Sequence, residues 1–206
     1  MKICLTRFRA KFQYPTAYQV HLLAGALAGK QESKRMCLYH YTHNGMDAEL
    51  WLQTVGPTTV DDTGPWKAEM QTLDLSTMKL GPQLGFRVRL SPCITQQGHR
   101  RDLVEYVKSK GGRSMTWDEA RQETPRMWFD QRVDHLGFTV GDLAVEGSRW
   151  TKFTKPGCAD PVEFGELDVA GIMTITNIER FLNTATNGMG KERAFGCGLM
   201  FLYEVE

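Results

Sequence analysis

The twelve residues NGMGKERAFGCG, 187 to 198, limit what this chain can fold into more than any other stretch. Four glycines (Gly188, Gly190, Gly196 and Gly198) stand between a segment with helical period and one with strand period. Upstream, TITNIERFLNTATNG puts Ile178, Phe181, Leu182 and Ala185 on one helical face. Thr176 and Glu179 have capping-box spacing at its start, and Asn187-Gly188 supplies its stop. Downstream, CGLMFLYEV reads as a closing strand. Before the helix, PVEFGELDVAG is a further strand whose apolar phase slips from Val162/Phe164 to Leu167/Val169, predicting a bulge at Gly165. The second half therefore ends strand, helix, glycine loop, strand.

The first half opens in a related order. KICLTRF reads as a strand, and PTAYQVHLLAGALAG as a helix begun by Pro15 and Thr16 and stopped by Gly29. Val20, Leu23, Ala24 and Leu27 form its apolar stripe. MCLYHYTHNGMDAELWLQTV is a hairpin centred on Asn44-Gly45. Strand, helix, strand, strand opens a ferredoxin-like βαββαβ unit. Its second helix is expected between Gly56 and Gly85, where Pro57, Gly64-Pro65 and Gly81-Pro82 break any period. LGFRVRLSP is expected to close the unit near residue 91, and SPCITQQGHRRD reads as a linker. TWDEARQETPRMWFDQR reads as a helix interrupted at Pro125, and HLGFTVGDLAV and SRWTKFTK as two strands joined near Glu146-Gly147. The expected fold is α+β, with two tandem ferredoxin-like (RRM-like) domains at residues 1–94 and 95–206.

Composition narrows the classes. With 206 residues, 41% apolar and 24% charged, the chain has the make-up of a globular protein with a real core. It has no apolar run of membrane-spanning length, and its start lacks a signal-peptide core. Its five cysteines are odd in number and lack C-x-x-C pairing, which argues against a disulfide framework or zinc ribbon and leads us to expect a reducing cytoplasm. The net charge of +1 hides a dipole: residues 1–110 carry +6 and residues 111–206 carry −5. Such asymmetry suits a polyanion on one half and a protein on the other, although uneven solvated surface explains it equally.

The glycine stretch lacks the Lys-Ser/Thr pair of a P-loop, and it follows a helix rather than opening one. Its residues leave two readings: a phosphate cradle helped by Lys191 and Arg193, or a plain turn. Tyr18 and His21 lie three apart on the first helix, on a face that also carries the small residues Gly25 and Ala28. A histidine beside a tyrosine can move protons near neutral pH, and a lone surface histidine is the alternative. His40 and His43 would point to opposite faces of a strand, so no metal site is expected. No cofactor motif, G-x-S-x-G or H-E-x-x-H occurs. The five tryptophans read as core. Arg87, Arg89, Arg100, Arg101, Lys152 and Lys155 are candidate phosphate contacts, each singly compatible with solvated surface.

GMGKERAFGCGLMFL resembles the C-terminal glycine-rich motif of CasE-type (type I-E) CRISPR repeat endoribonucleases of the RAMP superfamily. YQVHLLAGAL is similar to that family's first helix, with tyrosine three residues ahead of the active-site histidine. GFRVRLSP resembles its mid-chain strand, and PVEFGELDVAG falls where its last helix is preceded by a strand. The resemblance spans nearly the whole chain and is weakest over 56–80 and 95–160. It implies two ferredoxin-like domains and cleavage of CRISPR precursor RNA at the 3′ base of the repeat stem-loop, without metal or cofactor. It also implies retention of the hairpin among other subunits of a type I-E-like surveillance complex, away from any membrane. His21 and Tyr18 carry over as the active-site pair, Gly188 to Gly198 as the RNA-contacting loop, and Lys152 and Lys155 as hairpin contacts. Glu192 departs from a motif that is usually more basic. The rival expectation is a structural subunit that holds RNA without cutting it, and a mononucleotide-binding enzyme is a third.

Overall fold

The computed structural model describes residues 2–11, 16–29, 37–56, 66–81, 83–96 and 98–205. Strand β1 (Lys2–Lys11) leads to helix α1 (Ala17–Leu27), then to β2 (Leu38–Asn44) and β3 (Asp47–Thr54). Strand β4 (Lys67–Asp74) follows and ends in a 3-10 turn at Leu75–Thr77. These four strands form an antiparallel sheet in the order β2-β3-β1-β4, the ferredoxin-like arrangement. Thr16 starts α1 with a capping box: its hydroxyl accepts from Gln19 N at 3.3 Å, and Gln19 Oε1 accepts from Thr16 N at 2.8 Å. Val20 and Ala24 of α1 bury against Phe8, Tyr39, Leu50 and Leu52, with Leu23 and Leu27 packed at the edge. Pro15, Pro57, Gly64-Pro65 and Pro82 lie outside the described residues, and no helix stands between β3 and β4 among the described ones.

The second sheet comprises β5 (Gln83–Leu90), β8 (Phe138–Phe153), β9 (Val162–Ile175) and β10 (Met200–Glu204). Their order across the sheet is β10-β5-β9-β8. Here the sequence expectation is corrected. LGFRVRLSP does not close the first unit; β5 pairs with β9 and β10, and β4 closes the first sheet instead. A boundary at residue 94 would cut β5 from its sheet. The chain passes from one sheet to the other between Asp74 and Gln83.

Between β5 and β8 the expected linker is a hairpin, β6 (Cys93–Gln96) and β7 (His99–Asp102). Helices α2 (Leu103–Lys110), α3 (Trp117–Asp130) and α4 (Val133–Leu136) follow. Pro125 does not interrupt α3; it is buried inside it, beyond the capping box of Thr116 and Glu119. Helix α5 (Ile178–Asn187) is capped by Asn177, whose side chain accepts from Arg180 N at 3.0 Å, rather than by Thr176. Leu103 of α2, Trp128 and Phe129 of α3 and Phe181 of α5 pack with Phe138 and Met173 of the sheet in one core. Of the tryptophans read as core, Trp66 and Trp128 are buried, whereas Trp117 and Trp150 are exposed.

The two strands expected over 135–145 and 148–155 are one, β8, with register shifts between Val140 and Leu143 and between Val145 and Gly147. No shift falls at Gly165, which pairs regularly with Trp150. The phase slip has another cause: β9 is buried on both faces. Leu167 and Val169 enter the helix-covered core, while Phe164 packs with Phe153 and Cys197 on the other side.

Side-chain hydrogen bonds from Gln53, Tyr39 and Arg89 tie the sheets together. Gln53 donates to the carbonyls of Ala185 and Thr186 at 2.9 and 3.1 Å, at the end of α5. Tyr39 donates to the Ala194 carbonyl at 2.9 Å. Arg89, only 3% exposed, donates to the Tyr41 carbonyl at 2.8 Å. The reading of Arg89 as solvated surface is therefore corrected.

Candidate active site

Helix α1 presents Tyr18 and His21 on its partly exposed side, toward the glycine segment. The ring centroids of Tyr18 and His21 are 6.3 Å apart. His21 lies 5.5 Å from Phe195, Phe195 lies 4.7 Å from Phe153, and Phe153 stacks on Tyr18 at 6.3 Å. The four rings make a closed circuit from three distant parts of the chain. Phe164 and Cys197 lie beneath it, with the Cys197 thiol fully buried and pushed well above its ordinary pKa by that burial. Cys197 is thus core, not a nucleophile. Among the described residues neither the Tyr18 hydroxyl nor the His21 imidazole has a hydrogen-bond partner, so both are free to meet a ligand. A methyl group added at Gly25 would touch nothing within 4 Å, so the helix surface beside the pair is open.

The glycine segment is itself a folded object. Residues Arg193–Phe195 form a 3-10 turn entered from Glu192, the one non-glycine residue with positive φ among those described, at 55°. The Glu192 carbonyl accepts from Phe195 N at 2.8 Å and Cys197 N at 3.3 Å, and its carboxylate pairs with Arg100 of β7. Arg193 donates to the last carbonyl of α5, Asn187, at 2.8 Å. Gly190, Lys191 and Arg193 are exposed, and Gly188 is partly so. Gly196 and Gly198 are buried, and Gly198 spends both backbone groups inside the protein, donating to Arg89 O at 2.8 Å and accepting from Met189 N at 3.1 Å. Both glycines serve the turn and the packing, Gly196 against the Tyr39 ring, and the Gly198 N–H is already spent inside the protein.

The other candidate residues divide. Lys155 joins the circuit, its Nζ 5.3 Å from the Phe195 ring centroid. Lys152 points elsewhere and pairs with its cross-strand neighbour Glu163 at 2.6 Å. Arg100 is held by Glu192, with a second contact to Ser91 Oγ at 3.3 Å. Arg101 and Lys191 have no side-chain partner among the described residues. Sequence reasoning missed Phe195 and Phe153, although AFGCG and WTKFTK contain them; an aromatic residue in a motif looks like core until its neighbours are known.

A second polar cluster lies between the sheets. Arg89 bonds Asp168 at 2.7 Å and lies 3.4 Å from Glu166, while Arg149 reaches Glu166 at 3.1 Å and Asp168 at 2.9 Å. Burial pushes Asp168 up, but hydrogen bonds and charge from the two arginines outweigh it and hold its carboxyl below the usual range. Glu166 is raised by burial despite Thr151 and the same arginines. Burial, then Arg89, depresses His40 to about 3, so its imidazole is neutral there. Arg89 and Glu166 are the buried members of this cluster, whereas Arg149 and Asp168 stay partly exposed at its edge.

Comparisons agree with this architecture. Cse3 endoribonuclease bound to a 19-nucleotide RNA superposes with TM-score 0.75 at 17% identity, covering 98% of this chain and 100% of that one. Thermus thermophilus Cse3 bound to an RNA representing a pre-cleavage complex gives 0.74 at 17% identity, covering 98% and 99%. Cas6e from Escherichia coli K-12 gives 0.65 at 19% identity, covering 98% and 100%. At these identities the likeness speaks for the shared fold. No curated protein matches the sequence. The family of CRISPR associated proteins matches residues 2–203. With its double ferredoxin-like fold and a match over nearly its full length, the chain belongs to the CRISPR associated protein family, as the resemblance of its glycine motif and first helix to CasE-type members implies.

Proposed function

We propose that this protein is a metal-independent endoribonuclease that cleaves CRISPR precursor RNA at the 3′ base of the repeat stem-loop. It then stays on the hairpin within a type I-E-like surveillance complex. The observation that carries the reading is the convergence of Tyr18 and His21 with the glycine segment and Lys155 on one aromatic floor. The fold shared with RNA-bound Cse3 supports the same reading.

RNA supplies its own nucleophile. The 2′-hydroxyl attacks the adjacent phosphorus in line, the bond from phosphorus to the 5′-oxygen breaks, and a 2′,3′-cyclic phosphate and a 5′-hydroxyl result. The protein must align the three atoms, take the 2′-hydroxyl proton, give one to the leaving oxygen, and steady the phosphorane charge. His21 and Tyr18 are the two proton-carrying groups of the site, and Lys155 is its cation. Gly188, Gly190, Lys191 and Arg193 form the exposed lip toward the RNA, with Arg101, Arg100 and Lys152 as outlying phosphate contacts. Stem recognition rests on phosphates and shape, because side chains cannot easily read the deep major groove of A-form RNA.

The test is to incubate the protein with its own repeat RNA in EDTA. The reading predicts one cut, with a cyclic phosphate on the upstream fragment and a 5′-hydroxyl on the downstream one. Cleavage that requires a divalent cation, or RNA that emerges intact, contradicts it.

A further inference from the structure

We infer that Phe195 is the positioning residue of the site: its ring sets His21 and Lys155 relative to one another, and Glu192, held by Arg100, sets Phe195. The inference rests on the endoribonuclease reading and adds to it a residue that touches neither proton nor phosphate.

The geometry is specific. One ring takes the His21 imidazole at 5.5 Å and the Lys155 ammonium at 5.3 Å. Histidine and lysine come from α1 and from the segment just after β8, and no hydrogen bond or ion pair joins them among the described residues. The aromatic face is what they share. A ring face attracts an ammonium through its quadrupole, whereas an aliphatic side chain of similar bulk does not.

The ring is also held from behind. Phe153 and Phe164 pack on it at 4.7 and 6.0 Å. Its own N–H is tied to Glu192 O, and the carbonyl of the preceding Ala194 accepts from Tyr39 at 2.9 Å. Glu192 sits in the left-handed region at φ 55°, a conformation costly for a non-glycine residue, and its carboxylate is locked to Arg100. The acidic residue at 192 thus has a task inside the turn. The ties run from the β6–β7 hairpin through Glu192 to Phe195, and from β2 through Tyr39 to the same turn. Both flank the ring whose faces carry the reacting groups.

The experiment measures single-turnover cleavage at saturating protein beside RNA affinity. Phe195→Leu keeps apolar bulk and removes the face; it should slow cleavage about tenfold to a hundredfold, the scale expected when a reacting group is misplaced by an ångström. Its RNA Kd should stay within about threefold, because ground-state contacts are untouched. Phe195→Tyr should restore most of the rate. Adding Lys155→Met to Phe195→Leu should slow cleavage less than the two separate losses multiplied, since one contact has already gone. Glu192→Gln should slow cleavage by a smaller factor without weakening RNA binding. The inference is overturned if Phe195→Leu cuts at the parental rate while His21→Ala is inactive, if leucine and tyrosine are equally slow, or if the losses multiply. Should Phe195→Leu fail to fold, as judged by circular dichroism, Glu192→Gln decides: an unchanged rate overturns the inference. Undiminished cleavage by His21→Ala would instead remove the reading beneath it.

Discussion

At the scale of single residues, the glycine motif is explained by packing before ligand chemistry. A methyl at Gly198 would collide with the Met189 carbonyl, on a backbone whose φ is +85°. Gly198→Ala should therefore cost about 1–3 kcal/mol, for a strained conformation and a displaced backbone contact. Urea unfolding measures it, and an unchanged midpoint would mean the segment repacks freely. Gly25 is the opposite case, with nothing within 4 Å and an ordinary place inside α1. Gly25→Ala should stabilise the fold by about 0.5–1 kcal/mol through helix propensity. Tyr18 and His21 were legible because helical spacing fixes which side chains share a face. Phe195 was not, because its significance lies in what meets it across the chain. Glu192 looked like a misplaced charge for the same reason: its partner Arg100 stands 92 residues away.

At the scale of elements, most strands and helices could be read, but their partners could not. Alternation in LGFRVRLSP announces a strand equally well for either sheet; only register with β9 and β10 assigns it to the second. The two-sided burial of β9 mimicked a bulge, because Phe164 faces a small satellite core that the sequence does not advertise. Pro125 looked like a breaker, yet a proline inside a helix is tolerated where tertiary packing holds the flanking turns, and α3 is buried at Ala120, Thr124, Trp128 and Phe129. β5 also supplies the clearest energetic prediction. Arg89→Met leaves the buried Glu166 and the partly exposed Asp168 with only the half-exposed Arg149, so it should destabilise by about 3 kcal/mol, the lower end for removing one partner of a buried ion pair. Thermal or urea melts would show it, and a loss below about 1 kcal/mol would indicate that the cluster hydrates, as exposed ion pairs do.

At the scale of the whole molecule, the interface between the sheets should respond to pH. His40 lies against Arg89 at 3.4 Å, with Asp168 and Arg149 nearby and Phe201 packed edge-on at 5.4 Å. The fold holds its pKa near 3 against an ordinary 6.5. Below pH 6.5 the unfolded chain takes up a proton that the folded one refuses, so this residue removes stability as pH falls from 6.5 toward 3. The contribution reaches at most about 1.4 kcal/mol per pH unit. His40→Gln should flatten the stability profile relative to the parent across pH 6 to 5, by about that amount. Parallel profiles would contradict a neutral, buried His40. The same interface bears on the proposed site, because the tie between Tyr39 and Ala194 holds the glycine segment beside α1. In the proposed mechanism α1 cuts while the glycine segment and its neighbours hold. The decisive measurement is single-turnover cleavage of the repeat RNA by His21→Ala, with hairpin affinity measured on the same preparation. The rate should fall by at least about a hundredfold, the scale of losing a general acid or base, with binding retained. A cleavage rate equal to the parent's would place the chemistry elsewhere.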